Sequence, residues 1–199
     1  MTPVHFYFDF SSPYGYIASR RIDDIAAAHN RECVWHPYLM GAAFKRTGRA
    51  PLVDYDLVSN YARHDISRSA RMYDLDINMP SKFPVLSVAA CRAFYFVNDG
   101  SPEDAKRLAS AIYSAYFVDD VDISNKTAVI EIAAGLGLDA NTIKTAINDP
   151  VVKERLRAET DAAIDAGVFG SPFVVIDDEP FWGADRLDQI DRWLKSGGW

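Results

Sequence analysis

The first forty residues constrain most strongly what this chain can fold into. Val4, Phe6, Phe8 and Phe10 alternate with His5, Tyr7 and Asp9, and a period of two marks a strand. Directly after it, Ser11-Ser12-Pro13-Tyr14-Gly15 opens a helical stripe of Ala18, Ile22, Ile25 and Ala26. Ser12 suits the N-cap and Pro13 the first turn, where a missing N–H costs nothing. Residues 32–38, with Cys33, Val34 and Trp35 ahead of a break at Pro37, read as a second strand. Strand, helix and strand in so short a span form a βαβ unit, which favours a parallel pair.

From Leu52 to about Asp149 the pattern turns helical. Helices are predicted over 54–73, 84–97, 102–118, 125–136 and 139–148, the last opening on Asp139 as a cap residue. Another covers 150–166 and ends at Gly167. The apolar run Phe173-Val174-Val175-Ile176, the turn Asp177-Asp178-Glu179 and Phe181-Trp182 read as an antiparallel hairpin. A final helix is predicted over 184–195. The flanks therefore hold the elements of an α/β thioredoxin-like fold, and the block between them is a large all-α helical insertion. The expected division is 1–50 and 150–199 for the two parts of the thioredoxin-like domain, with 51–149 as the insertion.

A hydroxyl at the end of a strand and the start of a helix meets unpaired backbone N–H groups and the positive end of the helix dipole. Ser12 can thus be a plain cap or a group that stabilises an anion, a thiolate included. The two cysteines, Cys33 and Cys91, form no C-x-x-C pair, so a redox dithiol, a zinc site and a disulfide framework all lack support. His5, His29, His36 and His64 are scattered without metal spacing, and no metal is expected. A net charge of −7 argues against a general nucleic-acid binder. Between Phe44 and Tyr73, however, Lys45, Arg46, Arg49, Arg63, Arg68 and Arg71 outnumber Asp54, Asp56 and Asp65. That local excess is either a solvated helix face or a site for a small anion. No apolar run is long enough to span a membrane. The first strand begins so near Met1 that no signal peptide is expected, and a cytoplasmic location follows.

Four motifs in order and spacing resemble one family: residues 6–14 (FYFDFSSPY), Phe44-Lys45-x-x-Gly48, Val168-Phe169-Gly170-x-Pro172 and Trp182-Gly183-x-Asp185-Arg186-Leu187. The family is that of the 2-hydroxychromene-2-carboxylate isomerases, related to the kappa-class glutathione transferases, and the likeness covers essentially the whole chain. The resemblance implies that Ser12 stands where disulfide oxidoreductases of this fold carry their reactive cysteine, with Gly15 in place of the second. Ser12 would then hydrogen-bond the sulfur of bound glutathione and favour its thiolate. It further implies a cis peptide before Pro172, with the Ser171 backbone pairing the cysteinyl part of glutathione. Ala184, Asp185 and Arg186 would meet its γ-glutamyl end, and Lys45 a carboxylate of glutathione or of substrate.

The implied reaction is a double-bond isomerisation in aromatic-compound catabolism, in which the glutathione thiolate adds to and leaves the substrate. Three positions depart from the usual pattern: Arg49 and Leu86 stand where asparagines are common, and Ser171 where an apolar residue is. Arg49 therefore joins Lys45 as an expected substrate-binding residue for a small anionic aromatic compound. The resemblance also implies a homodimer, although no interface is legible in the sequence. Two alternatives stand beside the isomerase: a kappa-type glutathione transferase or peroxidase, and a redox-inactive binding protein related to the disulfide oxidoreductases.

Overall fold

The computed structural model describes residues 2–199. Strands β1 (Val4–Phe8), β2 (Cys33–Pro37), β3 (Phe173–Ile176) and β4 (Glu179–Trp182) form one mixed sheet in the order β2-β1-β3-β4. β1 runs parallel to β2, with Val4 opposite Cys33 and Phe8 opposite Pro37. It runs antiparallel to β3, with Tyr7 opposite Phe173, and β3 is antiparallel to β4. The hairpin turns on Asp177 and Asp178, both with positive φ, as the twist of a two-residue loop requires.

Alternation along β1 divides the core. Val4, Phe6 and Phe8 are buried on one face, where Phe8 meets Trp35, Phe94 and Tyr113 at ring-centroid distances of 5.4, 6.0 and 5.8 Å. Each such phenylalanine contributes roughly 1.5–3 kcal/mol by leaving water. Tyr7 faces the other way, toward a smaller cluster with Tyr38, Ala43, Ala163 and Phe173. The large cluster joins sheet and helices without interruption.

The helices are α1 (Pro13–Ser19), α2 (Ile22–Ala28), α3 (Met40–Thr47), α4 (Asp56–Met72), α5 (Val88–Gly100), α6 (Pro102–Phe117), α7 (Lys126–Gly135), α8 (Ala140–Asn148), α9 (Pro150–Asp165) and α10 (Leu187–Ser196). Local capping explains many starts. Ser101 accepts from the Asp104 N–H at 3.2 Å, Asp139 from Thr142 at 2.8 Å, and Asp149 from Val151 at 2.7 Å. Pro102 and Pro150 occupy the first turns of α6 and α9. This is a thioredoxin-like fold carrying an α-helical insertion.

Several details differ from the sequence expectation: Glu179, expected in the hairpin turn, already belongs to β4, and the last predicted helix opens as a 3-10 turn over Ala184–Arg186 before α10. The first strand stops at Phe8, because Asp9 and the residues after it turn toward α1. The single helix expected after Ser12 is two helices broken at Arg20–Arg21. There the side chains are drawn outward: Arg20 donates to Ser114 Oγ at 2.6 Å and lies over Tyr16, and Arg21 lies over Tyr73. α3 was not anticipated at all. Finally, α5 starts at Val88, not Pro84, with Ser87 as its N-cap residue.

Candidate active site

Ser12 is the N-cap of α1, buried to 3% exposure. Its Oγ accepts the Gly15 N–H at 3.0 Å and donates its own proton to the Ser171 carbonyl at 2.7 Å. The Ser171–Pro172 peptide is cis. Continuing the β1–β3 register beyond Tyr7 and Phe173 sets Asp9 opposite Ser171, and there a side chain replaces the ladder: the Asp9 N–H donates to Ser171 Oγ at 2.9 Å. From the far side of the turn, the Gly183 N–H donates to the Pro172 carbonyl at 3.1 Å. One hydrogen-bonded line thus runs from Ser12 through Ser171 and Pro172 to Gly183.

Gly183 has φ +113, and an added Cβ would lie 2.3 Å from Asp185 Oδ1, so only glycine lets that carboxylate fold back over the turn. Residues Ala184–Arg186 form a 3-10 turn that packs against α1. As in any helical first turn, its leading N–H groups have no partner within the turn. Asp185 is exposed and lies 3.6 Å from Arg186. The structure therefore brings Ser12, Ser171, Pro172 and the Ala184–Asp185–Arg186 turn into one neighbourhood.

Lys45 and Arg49 are less directly tied to it. Lys45 sits in the last turn of α3, exposed, and makes no ion pair among the described residues. Arg49 follows the αL cap Gly48, and its guanidinium lies over Phe169 and Trp182 at 5.5 and 5.8 Å. Trp182 in turn covers Gly170, where a Cβ would lie 2.1 Å from the indole nitrogen. The arginine thus reaches the cis-proline turn through an aromatic pair, with no carboxylate bound to it among the described residues. Leu86 is 75% exposed and directly precedes Ser87, whose hydroxyl donates to Asp9.

Gly15 decides what cannot happen there. A Cβ at this position would lie 2.6 Å from the Tyr113 hydroxyl, 2.8 Å from Ser171 Oγ and 3.2 Å from Ser12 Cβ. Hydroxyl groups fill the space a second cysteine would need. Cys33 and Cys91 are buried and free, and burial pushes both thiols well above their ordinary pKa.

Several contributors were not anticipated. Asp9 is a buried carboxylate that accepts from the Ser11 N–H, the Met40 N–H and the Ser87 hydroxyl, each at 2.8 Å. Burial raises its pKa and these three donors oppose the rise. The pattern Asp-x-Ser ahead of Ser12 was the available signal, since such an aspartate commonly caps its own turn. Tyr113, whose hydroxyl bounds Gly15, and Tyr14, bonded to Asp65 at 2.7 Å, left no local trace, because each depends on a partner remote in sequence.

Known proteins resemble this chain along nearly its whole length. A family model described as "DSBA-like thioredoxin domain" matches residues 3–195. A 2-hydroxychromene-2-carboxylate isomerase of Sphingobium xenophagum is 27% identical over 193 residues, covering 96% of this chain and 97% of that protein. Rattus norvegicus glutathione S-transferase kappa 1 is 21% identical over 208 residues, with 96% and 92% covered. A solved 2-hydroxychromene-2-carboxylate isomerase superposes with a TM-score of 0.88 at 23% identity, covering 98% of this chain and 95% of that one.

Proposed function

The chain belongs to the DSBA-like thioredoxin domain family, and from that membership we propose a glutathione-dependent isomerase acting on small anionic aromatic compounds of the 2-hydroxychromene-2-carboxylate type. The observation that carries the reading is Ser12: a buried, polarised hydroxyl at a helix N-cap beside a cis proline. No thiol stands at position 12 or 15, so dithiol exchange is unavailable.

The residues present suit glutathione. The Gly15 N–H holds Ser12 Oγ and leaves its proton free to swing from the Ser171 carbonyl to a sulfur. The carbonyl so vacated can accept an amide N–H, so ligand binding replaces one internal bond with two external ones. A hydrogen bond to a charged group contributes about 1.5–3 kcal/mol, or about one to two pKa units. That brings an ordinary thiol from about 8.5 to near neutrality. Bound glutathione would supply the thiolate nucleophile, which adds to an unsaturated carbon of the substrate and is expelled unchanged.

Ala184 and Asp185 would hold the γ-glutamyl end, the backbone N–H groups on its carboxylate and the Asp185 side chain on its ammonium. Lys45 and Arg49 would take negative charge on the glutathione or substrate side. Arg49, pre-set by two rings, suits a planar carboxylate bidentately. The cytoplasm, where glutathione keeps thiols reduced, is the compartment we assign to this activity.

The test is absorbance in the thiolate band while glutathione is titrated into the protein, with Ser12→Ala beside it. A saturable signal that the variant loses is the expected result. Turnover of a chromene carboxylate without loss of glutathione supports the isomerase, whereas stoichiometric loss would make it a transferase. No binding would refute the cofactor and leave a redox-inactive binding protein.

A further inference from the structure

Asp9 is 5% exposed, yet no lysine, arginine or histidine bonds to it among the described residues. The titratable groups facing it are Tyr38 after β2, Cys91 on α5, and Tyr113 and Tyr116 on α6, all neutral around pH 7. A buried carboxylate without a counter-ion is costly and is weak evidence of a stability role. What compensates it here is a convergence of helix starts. Oδ2 accepts the first N–H of α3, at Met40, where the preceding Leu39 has no side-chain atom that could cap. Oδ1 accepts the hydroxyl of Ser87, the N-cap residue of α5, which makes no capping bond to its own helix.

The Cys91 thiol donates to Ser87 Oγ at 3.7 Å, which directs the Ser87 proton onto Asp9. Oδ1 also accepts the Ser11 N–H, an Asx turn that fixes the residues just ahead of Ser12. The Ser12 N–H closes that turn on the Asp9 carbonyl at 2.9 Å, where the Tyr113 hydroxyl also donates at 3.0 Å.

We propose that Asp9 is the positioning residue of this site: its carboxylate holds the turn that presents Ser12 and anchors to the same point the start of α3, the helix that carries Lys45 and leads to Arg49. The inference rests on the reading of Ser12 as the group that stabilises a glutathione thiolate. Asp9 touches neither sulfur nor substrate and acts through Ser12. Asp9→Asn keeps the shape but turns an amide N–H₂ toward either Met40 or the Ser11–Ser87 pair, donor against donor.

The experiment is a pH titration of the thiolate absorbance of bound glutathione in four proteins: unaltered, Asp9→Asn, Ser12→Ala and the double variant, each checked for native near-ultraviolet dichroism. The expected result is a rise of about one unit in the apparent pKa with Asp9→Asn, hence tenfold less thiolate at a given pH, and no further rise when the change is added to Ser12→Ala. An unmoved pKa in Asp9→Asn overturns the proposal. So does an equal shift in both backgrounds, since the carboxylate would then act on the sulfur without Ser12. If Asp9→Asn does not fold, Ser87→Ala keeps the carboxylate and removes one of its three donors. There about threefold less thiolate is expected, and an unchanged pKa overturns the proposal. No thiolate signal in the unaltered protein refutes the glutathione reading and this inference with it; a normal signal there, with the pKa raised by Ser12→Ala but unmoved by Asp9→Asn, refutes the inference alone.

Discussion

Adding one methyl group at Gly15 should be felt by a tyrosine on α6. Gly15 lies inside α1 with no unusual φ, so alanine would gain about 1 kcal/mol of helix propensity. Against this stands the crowding already described. Ser171 Oγ can rotate aside by giving up its bond to the Asp9 N–H, at a cost of about 1 kcal/mol. The Tyr113 ring cannot, being fully buried against Phe8, Phe10, Tyr16 and Phe117. Overpacking of this kind costs about 1–3 kcal/mol, so Gly15→Ala should destabilise by about that amount, with the propensity gain and the lost bond cancelling.

Tyr113→Phe removes the oxygen nearest the new methyl. In a double-mutant cycle followed by urea denaturation, the pair should therefore be more stable than the sum of the singles by about 1–2 kcal/mol. At this chain length each kcal/mol is worth about 2–4 °C in Tm, so thermal melts give an independent check. Additivity within about 0.5 kcal/mol would show that Tyr113 does not close the space beside Ser12, and the structural argument against a second thiol there would fail.

Burial and the neighbouring His5 lower the His36 pKa to about 4, so the unfolded chain takes up a proton that the folded one refuses. Stability is then complete above about pH 6.5 and falls as pH drops toward 4, by at most about 3 kcal/mol; urea midpoints at pH 7.5 and 4.5 that fall equally for the native protein and His36→Phe would refute this. Asp185→Ala should weaken glutathione binding about tenfold, the loss of one charged contact, and leave turnover at saturation unchanged; reduced turnover with an unaltered apparent affinity would assign the carboxylate to the chemical step.

Periodicity exposed those parts of the fold that carry their own signals. Alternation along Val4–Phe8 and the apolar run of β3 fixed the sheet's inner strands, and Asp139 announced the helix it caps. α3 escaped because it is short and its start is not capped locally: Leu39 offers nothing, and the capping oxygen belongs to Asp9, thirty-one residues earlier. The break at Arg20–Arg21 was equally hidden, since no glycine or proline marks it and the arginines are held by α6 and Tyr73. In the site, Ser12 stood out at the junction of a strand and a helix, whereas Ser171 and the Ala184–Arg186 turn were named only through the motifs that resemble the isomerase family. Asp9 and Tyr113 were not, for their roles are set by what the chain brings back to them from remote segments. Arg49 was visible as a charge, but not as one held by two aromatic rings.

The two cysteines have a use as reporters. Both side chains are sealed in the core with their thiols far from ionising, so the folded protein should be silent toward alkylating reagents at neutral pH. Each molecule that opens exposes two reactive sulfurs. The rate of covalent labelling, counted by mass, therefore measures the frequency of opening directly, and any sulfur that reacts at once belongs to something the protein has bound.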